Sequence, residues 1–173
     1  MKKLLVVVDF QNDFVDGSLG FEGAKDLEKH ICDLIRLYQD EQNDIIYTLD
    51  THQDNYLETY EGQYLPVPHC IEDTKGWQLY GEVKDLLKDC LYFKKETFPS
   101  LDFANYLKDK DYNHITFVGL VSHICVISNA IMAKAALPLA HIVIDLKGTS
   151  SAFKDTHNDS ISVMKSLQFE IKE

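Results

Sequence analysis

The chain has 173 residues, 45% of them hydrophobic and 26% charged, which suits one globular core and is too short for two ordinary domains, so residues 1–173 are read as a single domain. A formal net charge of −11 without a basic stripe argues against nucleic acid and anionic membrane as partners and favours a small molecule. No stretch approaches the about 18 unbroken apolar residues of a membrane span, and the four widely spaced cysteines, Cys32, Cys70, Cys90 and Cys125, suit reduced thiols in a cytoplasmic protein.

The opening "MKKLLVVVDF" has the charged start and apolar run of a signal peptide, but the run ends at Asp9 without a small-residue cleavage site, so it reads as a first strand, "KLLVVV". In "AKDLEKHICDLIRLYQDE" the residues Leu27, Ile31, Leu34, Ile35 and Tyr38 share one helical face, with Cys32 as a core residue. "DIIYTL" is a second strand. Residues 50–76 then lack periodicity and carry Pro66, Pro68 and two glycines, predicting a long loop, and loops beyond about 12 to 15 residues in a compact domain tend to be functional. "CLYF", "HITFVGL", "HIVIDL" and "QFEI" complete six strands, with Cys90 a packing residue. Helical spacing recurs in "SHICVISNAIMAKAA" and "DTHNDSISVMKSL". Strands alternating with helices predict a three-layer α/β/α, Rossmann-like architecture on a six-stranded, mostly parallel sheet with right-handed crossovers.

In such a sheet, ligands bind beyond the carboxyl ends of the strands. The first strand delivers Asp9 there. The second delivers Asp50 and, two residues on, His52; the third delivers Lys94 and Lys95; the fourth runs into the segment holding Cys125. Cys125 falls in the first turn of a predicted helix, where unsatisfied N–H groups and the helix dipole favour negative charge, so its thiol pKa is expected to be lowered. The same N–H groups suit the oxyanion of a tetrahedral intermediate. Asp9 is a candidate base and Lys95 a candidate cation.

"VVVDFQNDF", "KETFPS" and "GLVSHICVISNA", in this order, resemble the three landmark segments of the isochorismatase-like cysteine hydrolases, and "DTH" and "PVPHC" resemble the nicotinamidases within that superfamily. The resemblance covers nearly the whole chain and implies the isochorismatase-like hydrolase fold with a catalytic triad of Asp9, Lys95 and Cys125. Lysine, two residues, aromatic and serine is the family's spacing, which selects Lys95 over Lys94. A cis peptide at Leu120–Val121 is implied, with the Val121 and Cys125 amides as the oxyanion hole. So are Phe14 as a pocket residue and Asp50, His52 and His69 as ligands of one divalent metal ion, zinc or else iron or manganese, with Glu61 as a further candidate ligand. Trp77 and Tyr64 are lesser candidates for the pocket, and Phe98 with the loop aromatics is expected to close the site. His30, His114, His141 and His157 are read as structural. One departure stands out: the family carries Thr-Asp where this chain has Ser122 and His123.

The expected activity is hydrolysis of a small cyclic amide, nicotinamide foremost, by a protein that resembles a family of homo-oligomers. A hydrolase of another amide, a ureide or a vinyl ether, a non-catalytic binding module, and a metal-binding protein indifferent to the cysteine remain alternatives.

Overall fold

In a computed structural model describing residues 2–173, six strands form one sheet: β1 (Lys3–Val8), β2 (Asp44–Asp50), β3 (Leu91–Lys95), β4 (His114–Leu120), β5 (His141–Ser150) and β6 (Glu170–Lys172). Their order is β3-β2-β1-β4-β5-β6, and every neighbouring pair is parallel. The expected six-stranded α/β sheet is therefore present, and each predicted strand segment has its counterpart. Between β1 and β4 the direction of strand addition reverses, the place where open α/β sheets leave a crevice.

β1 is central, and Leu4 to Val8 are all fully buried. Alternation divides them between two cores. Leu5 and Val7 face α2 (Leu27–Asp40), which follows the single-turn α1 (Asn12–Val15), and α4 (Gly81–Leu86), joining Ile31, Leu34, Ile35 and Val83. Leu4, Val6 and Val8 face α5 (Leu101–Leu107), α6 (Ile127–Ala136) and α7 (Lys154–Ser166), joining Phe103, Leu107, Ala130, Ala133 and Met164. The apolar stripe read on residues 24–41 is thus α2's buried face, and Cys32 lies in it with its thiol pushed up to about 11 by burial.

Close approach of β4 to β1 depends on Gly119, at φ +112, where an added Cβ would lie 2.0 Å from the Val8 carbonyl oxygen. The register of β4 against β5 shifts between Phe117 and Gly119. Beyond β4 the predicted helix starts differently from the expectation: Ser122–Val126 form a π-helical turn leading into α6, with the Val126 amide donating to the Val121 carbonyl at 3.2 Å. The predicted loop 50–76 is also more ordered than its composition suggests, because a 3₁₀ turn (Tyr56–Glu58) and a short helix, α3 (Tyr60–Tyr64), lie within it. Thr59 caps α3 through its side chain, which accepts from the Gly62 amide. No helix among the described residues is long and apolar enough to cross a membrane.

Candidate active site

Each strand end supplies one part of the site. Asp9 follows β1 directly and holds φ at +46, a left-handed conformation that few residues other than glycine, asparagine and aspartate tolerate. Such strain persists only where the surroundings enforce it. Here they do: the Asp9 amide donates to the Thr48 carbonyl at 3.2 Å, and the Thr48 hydroxyl donates to Asp9 Oδ1 at 2.7 Å. Along β3 the alternation separates two lysines. Lys94 faces outward, pairing with Glu72 and lying 5.3 Å from the Trp77 ring centroid. Lys95 faces inward and is 5% exposed.

The Lys95 Nζ lies 2.6 Å from Asp9 Oδ2, 3.0 Å from Asp50 Oδ1 and 3.6 Å from Cys125 Sγ, and it donates to the Thr97 carbonyl at 3.1 Å. All four of Asp9, Asp50, Lys95 and Cys125 are buried. Burial works against the ammonium, but facing Asp9, Cys125 and Asp50 outweighs it and holds Lys95 well above its ordinary value. Burial raises Asp9 despite the nearby Lys95 ammonium, and the negative charge of Asp50 adds to the rise. Asp50 ends on the other side: burial would raise it, but Lys95 and hydrogen bonds from His52 and His69 hold it well below the carboxylate range.

Cys125 departs from the sequence expectation. Its thiol is held well above its ordinary value, because burial and the two carboxylates outweigh the Lys95 ammonium. The helix-start argument fails because it ignored desolvation, which acts on a buried sulfur more strongly than a short turn's dipole. Asp9, the candidate base, meets the same Lys95 ammonium.

A second constellation adjoins the first. The His52 Nε2 lies 3.0 Å and the His69 Nε2 3.3 Å from Asp50 Oδ2, and Glu61 Oε1 lies 3.8 Å and 3.7 Å from the same two nitrogens. The chain returns His69 to this point through a bridge: the His52 amide donates to the Cys70 carbonyl and the Glu72 amide to the His52 carbonyl, while Cys70 N donates to Asp13 Oδ2 at 2.8 Å. Tyr56, nearly fully buried, packs on both imidazoles, with ring centroids 4.7 Å from His52 and 5.0 Å from His69. The Val67 carbonyl accepts from His69 Nδ1 at 2.8 Å, so that nitrogen carries a proton and Nε2 is the atom turned toward Asp50 and Glu61.

Asp50, His52 and His69 offer ligand atoms that all lie within 4.8 Å of one another. Two imidazole nitrogens and a carboxylate oxygen suit zinc, iron or manganese. Charge points the same way, because Asp9, Lys95 and Asp50 together leave one buried negative charge without a cation. The residues present fit a divalent ion.

Both constellations open on one cavity of about 470 Å³, whose lining includes Phe14, Asp50, His69, Phe98, Val121 and Cys125. The Phe14 ring lies 5.5 Å from that of His69. Phe98 stands at the rim, 42% exposed. The Leu120–Val121 peptide bond is cis. Two lesser candidates lie elsewhere: Trp77 donates its indole N–H to Thr51 Oγ1 at 2.8 Å and does not line the cavity, and Tyr64 lines a neighbouring groove, 75% exposed. His30 and His141 pair with Asp145 and Glu170 away from the site, whereas His157 touches the Ser122–Val126 turn, its Nδ1 2.8 Å from Ser122 Oγ.

Sequence reasoning missed two buried amides. Gln11 donates to the Asp50 and Trp77 carbonyls and accepts from the Asp50 amide at 2.8 Å. Asn129 donates to the Phe98 and Cys125 carbonyls and accepts from the Ser100 amide, fastening the segment after Lys95 to the turn that holds Cys125. Their signal was a polar residue in an apolar setting, as in "CVISNAIMA".

Comparison with known proteins agrees with this geometry. The nicotinamidase of Saccharomyces cerevisiae is 26% identical, the match covering 76% of this chain and 81% of that protein. The crystal structure of nicotinamidase PncA from Bacillus subtilis superposes with a TM-score of 0.88 at 26% identity, covering both chains fully. That of the Pyrococcus horikoshii pyrazinamidase in complex with zinc superposes at 0.87 and 22% identity, covering 100% of this chain and 99% of that one. The Isochorismatase domain family matches residues 3–171, and with the cysteine, lysine and aspartate meeting at the sheet's switch point, the chain belongs to the isochorismatase family as a nicotinamidase-like member.

Proposed function

We propose that the chain is a single-domain cysteine amidohydrolase that cleaves a small cyclic amide, nicotinamide foremost, to the acid and ammonia, a reaction that returns the pyridine ring to NAD salvage. The observation that carries this reading is the Lys95 ammonium, within 2.6 Å of Asp9 Oδ2 and 3.6 Å of Cys125 Sγ in the wall of a cavity that also reaches Asp50 and His69.

Asp9 is the base. Its raised pKa brings it nearer the thiol it must deprotonate, and Lys95 holds both negative groups as the proton moves. The Cys125 thiolate attacks the amide carbonyl carbon, and the new oxyanion is received by the Val121 and Cys125 backbone amides. The tetrahedral intermediate collapses to a thioester as the C–N bond breaks, and Asp9 returns its proton to the departing ammonia. Asp9 then takes a proton from water, whose oxygen attacks the thioester. Acid leaves and the thiol is restored. A divalent ion held by Asp50, His52 and His69, with Glu61 in reach, would supply a Lewis-acid site for the substrate's ring nitrogen. Phe14 and Phe98 offer aromatic faces to the ring.

The test is ammonia release from nicotinamide by purified, zinc-loaded protein beside Cys125→Ala. Release that vanishes in the variant supports the assignment. No release by folded, metal-loaded wild type discards nicotinamide.

A further inference from the structure

The backbone is strained directly beside one candidate metal ligand. Cys70, the residue after His69, is fully buried and holds φ at +46, a left-handed conformation that cysteine rarely adopts and that persists only where its surroundings enforce it. Two contacts enforce it. The Cys70 carbonyl accepts from the His52 amide at 3.0 Å, and the Cys70 amide donates to Asp13 Oδ2 at 2.8 Å. The residue that carries His69 into the site is thus clamped between the backbone of His52 and a carboxylate from the segment that follows Asp9.

Asp13 is itself fixed for that contact. Its amide donates to the Gly76 carbonyl at 3.0 Å, and a Cβ on Gly76 would lie 2.1 Å from Asp13 Oδ2, so the carboxylate fills space that glycine leaves open. On the next residue, the Phe14 ring lies 5.5 Å from the His69 ring. Asn12 ties the same connection further along, donating to the Lys75 and Gln78 carbonyls at 2.7 and 3.1 Å, away from Cys70. An ionised acceptor makes the Asp13 bond the stronger kind, and a ligand fixed before the ion arrives loses less freedom on binding it. Resting on the reading of Asp50, His52 and His69 as metal ligands, we propose that Asp13 is a positioning residue for the metal half of the site: its carboxylate locks Cys70 and so holds His69 where it joins Asp50 and His52 on a divalent ion.

The test is zinc affinity, measured by chelator competition on the wild type, Asp13→Ala, Asp13→Asn, Asn12→Ala and His69→Ala, beside thermal unfolding of each metal-free protein. Asp13→Ala weakens zinc binding about tenfold, and Asp13→Asn, which keeps an acceptor oxygen, restores most of the affinity. Asn12→Ala loosens the same connection away from Cys70 and keeps the wild-type zinc affinity, whatever its unfolding temperature. Unchanged affinity in Asp13→Ala, no recovery in Asp13→Asn, or equal weakening in Asn12→Ala overturns the proposal. Should Asp13→Ala fail to fold, Asp13→Ser, whose hydroxyl is one bond too short to reach the Cys70 amide, carries the same expectations. Zinc retained by His69→Ala overturns the ligand reading and the proposal with it, whereas zinc lost in His69→Ala but bound normally by Asp13→Ala overturns the positioning role alone.

Discussion

The two halves of the site rest on different foundations. Asp9, Lys95 and Cys125 leave strands whose positions are set by the parallel sheet, and Asp9 and Lys95 are locked further by Thr48 and by each other. His69 and Glu61 instead ride on the connection between β2 and β3, tied down by one short bridge, the Asp13–Cys70 hydrogen bond and packing on Tyr56. Asp50 belongs to both, one carboxylate oxygen on Lys95 and the other facing His52 and His69. A half built on the sheet tolerates little positional error and loses function by chemistry, whereas a half built on a loop loses function by losing its ligand.

Changes on the sheet side are expected to have the largest effects. Cys125→Ala should lower ammonia release by at least about 10⁴-fold with an intact thermal transition, as monitored by an ammonia-coupled assay and calorimetry. Substantial residual turnover would remove the nucleophile from the sheet side. Lys95→Met leaves Asp9 and Asp50 buried without their cation, and denaturant unfolding should show a loss of about 3–5 kcal/mol, the usual cost of breaking a buried pair. Unchanged stability would mean that the cluster is balanced in another way.

On the loop side, His52→Ala and His69→Ala should each reduce tightly bound zinc from stoichiometric to near nothing, while the fold persists because neither residue supports the sheet. Metal analysis with circular dichroism checks both statements, and unchanged zinc content would place the ion elsewhere. Asn129→Ala should separate positioning from chemistry. It strips hydrogen bonds from two carbonyls and one amide, costing about 1–3 kcal/mol, and a kcat loss of about tenfold with little change in KM is expected if the nucleophile turn shifts.

The smallest effect is one of pH. Asp9 must be ionised to accept the thiol proton, and its pKa is raised, first by burial. Lowering pH therefore protonates the base before ordinary carboxylates titrate, so the acid limb of kcat/KM should lie above the ordinary carboxylate range. A pH–rate profile of the wild type checks this, and a limb within the ordinary carboxylate range would argue against Asp9 as the base.

Much of this arrangement was legible in the sequence, for a physical reason. A run such as "LLVVV" is rarely tolerated outside a doubly covered strand, and a parallel sheet gathers the residues at the carboxyl ends of its strands along one edge. Asp9, Asp50, Lys95 and Cys125 could thus be placed together from their positions alone. Which lysine pointed inward was open to residue chemistry; the family spacing selected Lys95, and the pleat of β3 against β2 turns it inward and Lys94 outward. Gln11 and Asn129 escaped notice because a polar residue in an apolar run does not reveal which backbone groups it will satisfy.

The sequence by itself determined the alternation of strands and helices, the two-faced burial of β1 and the set of reactive side chains at the sheet's carboxyl edge, because these depend on local periodicity and chain order. Tertiary structure alone decided the state of those side chains. Burial raised the Cys125 thiol where a lowering was expected, Lys95 and the two imidazoles set Asp50 apart from the raised Asp9, and the fold brought His69 back across the loop to Asp50. Desolvation and charge pairing depend on neighbours distant in sequence, and those exist only once the sheet has closed around them.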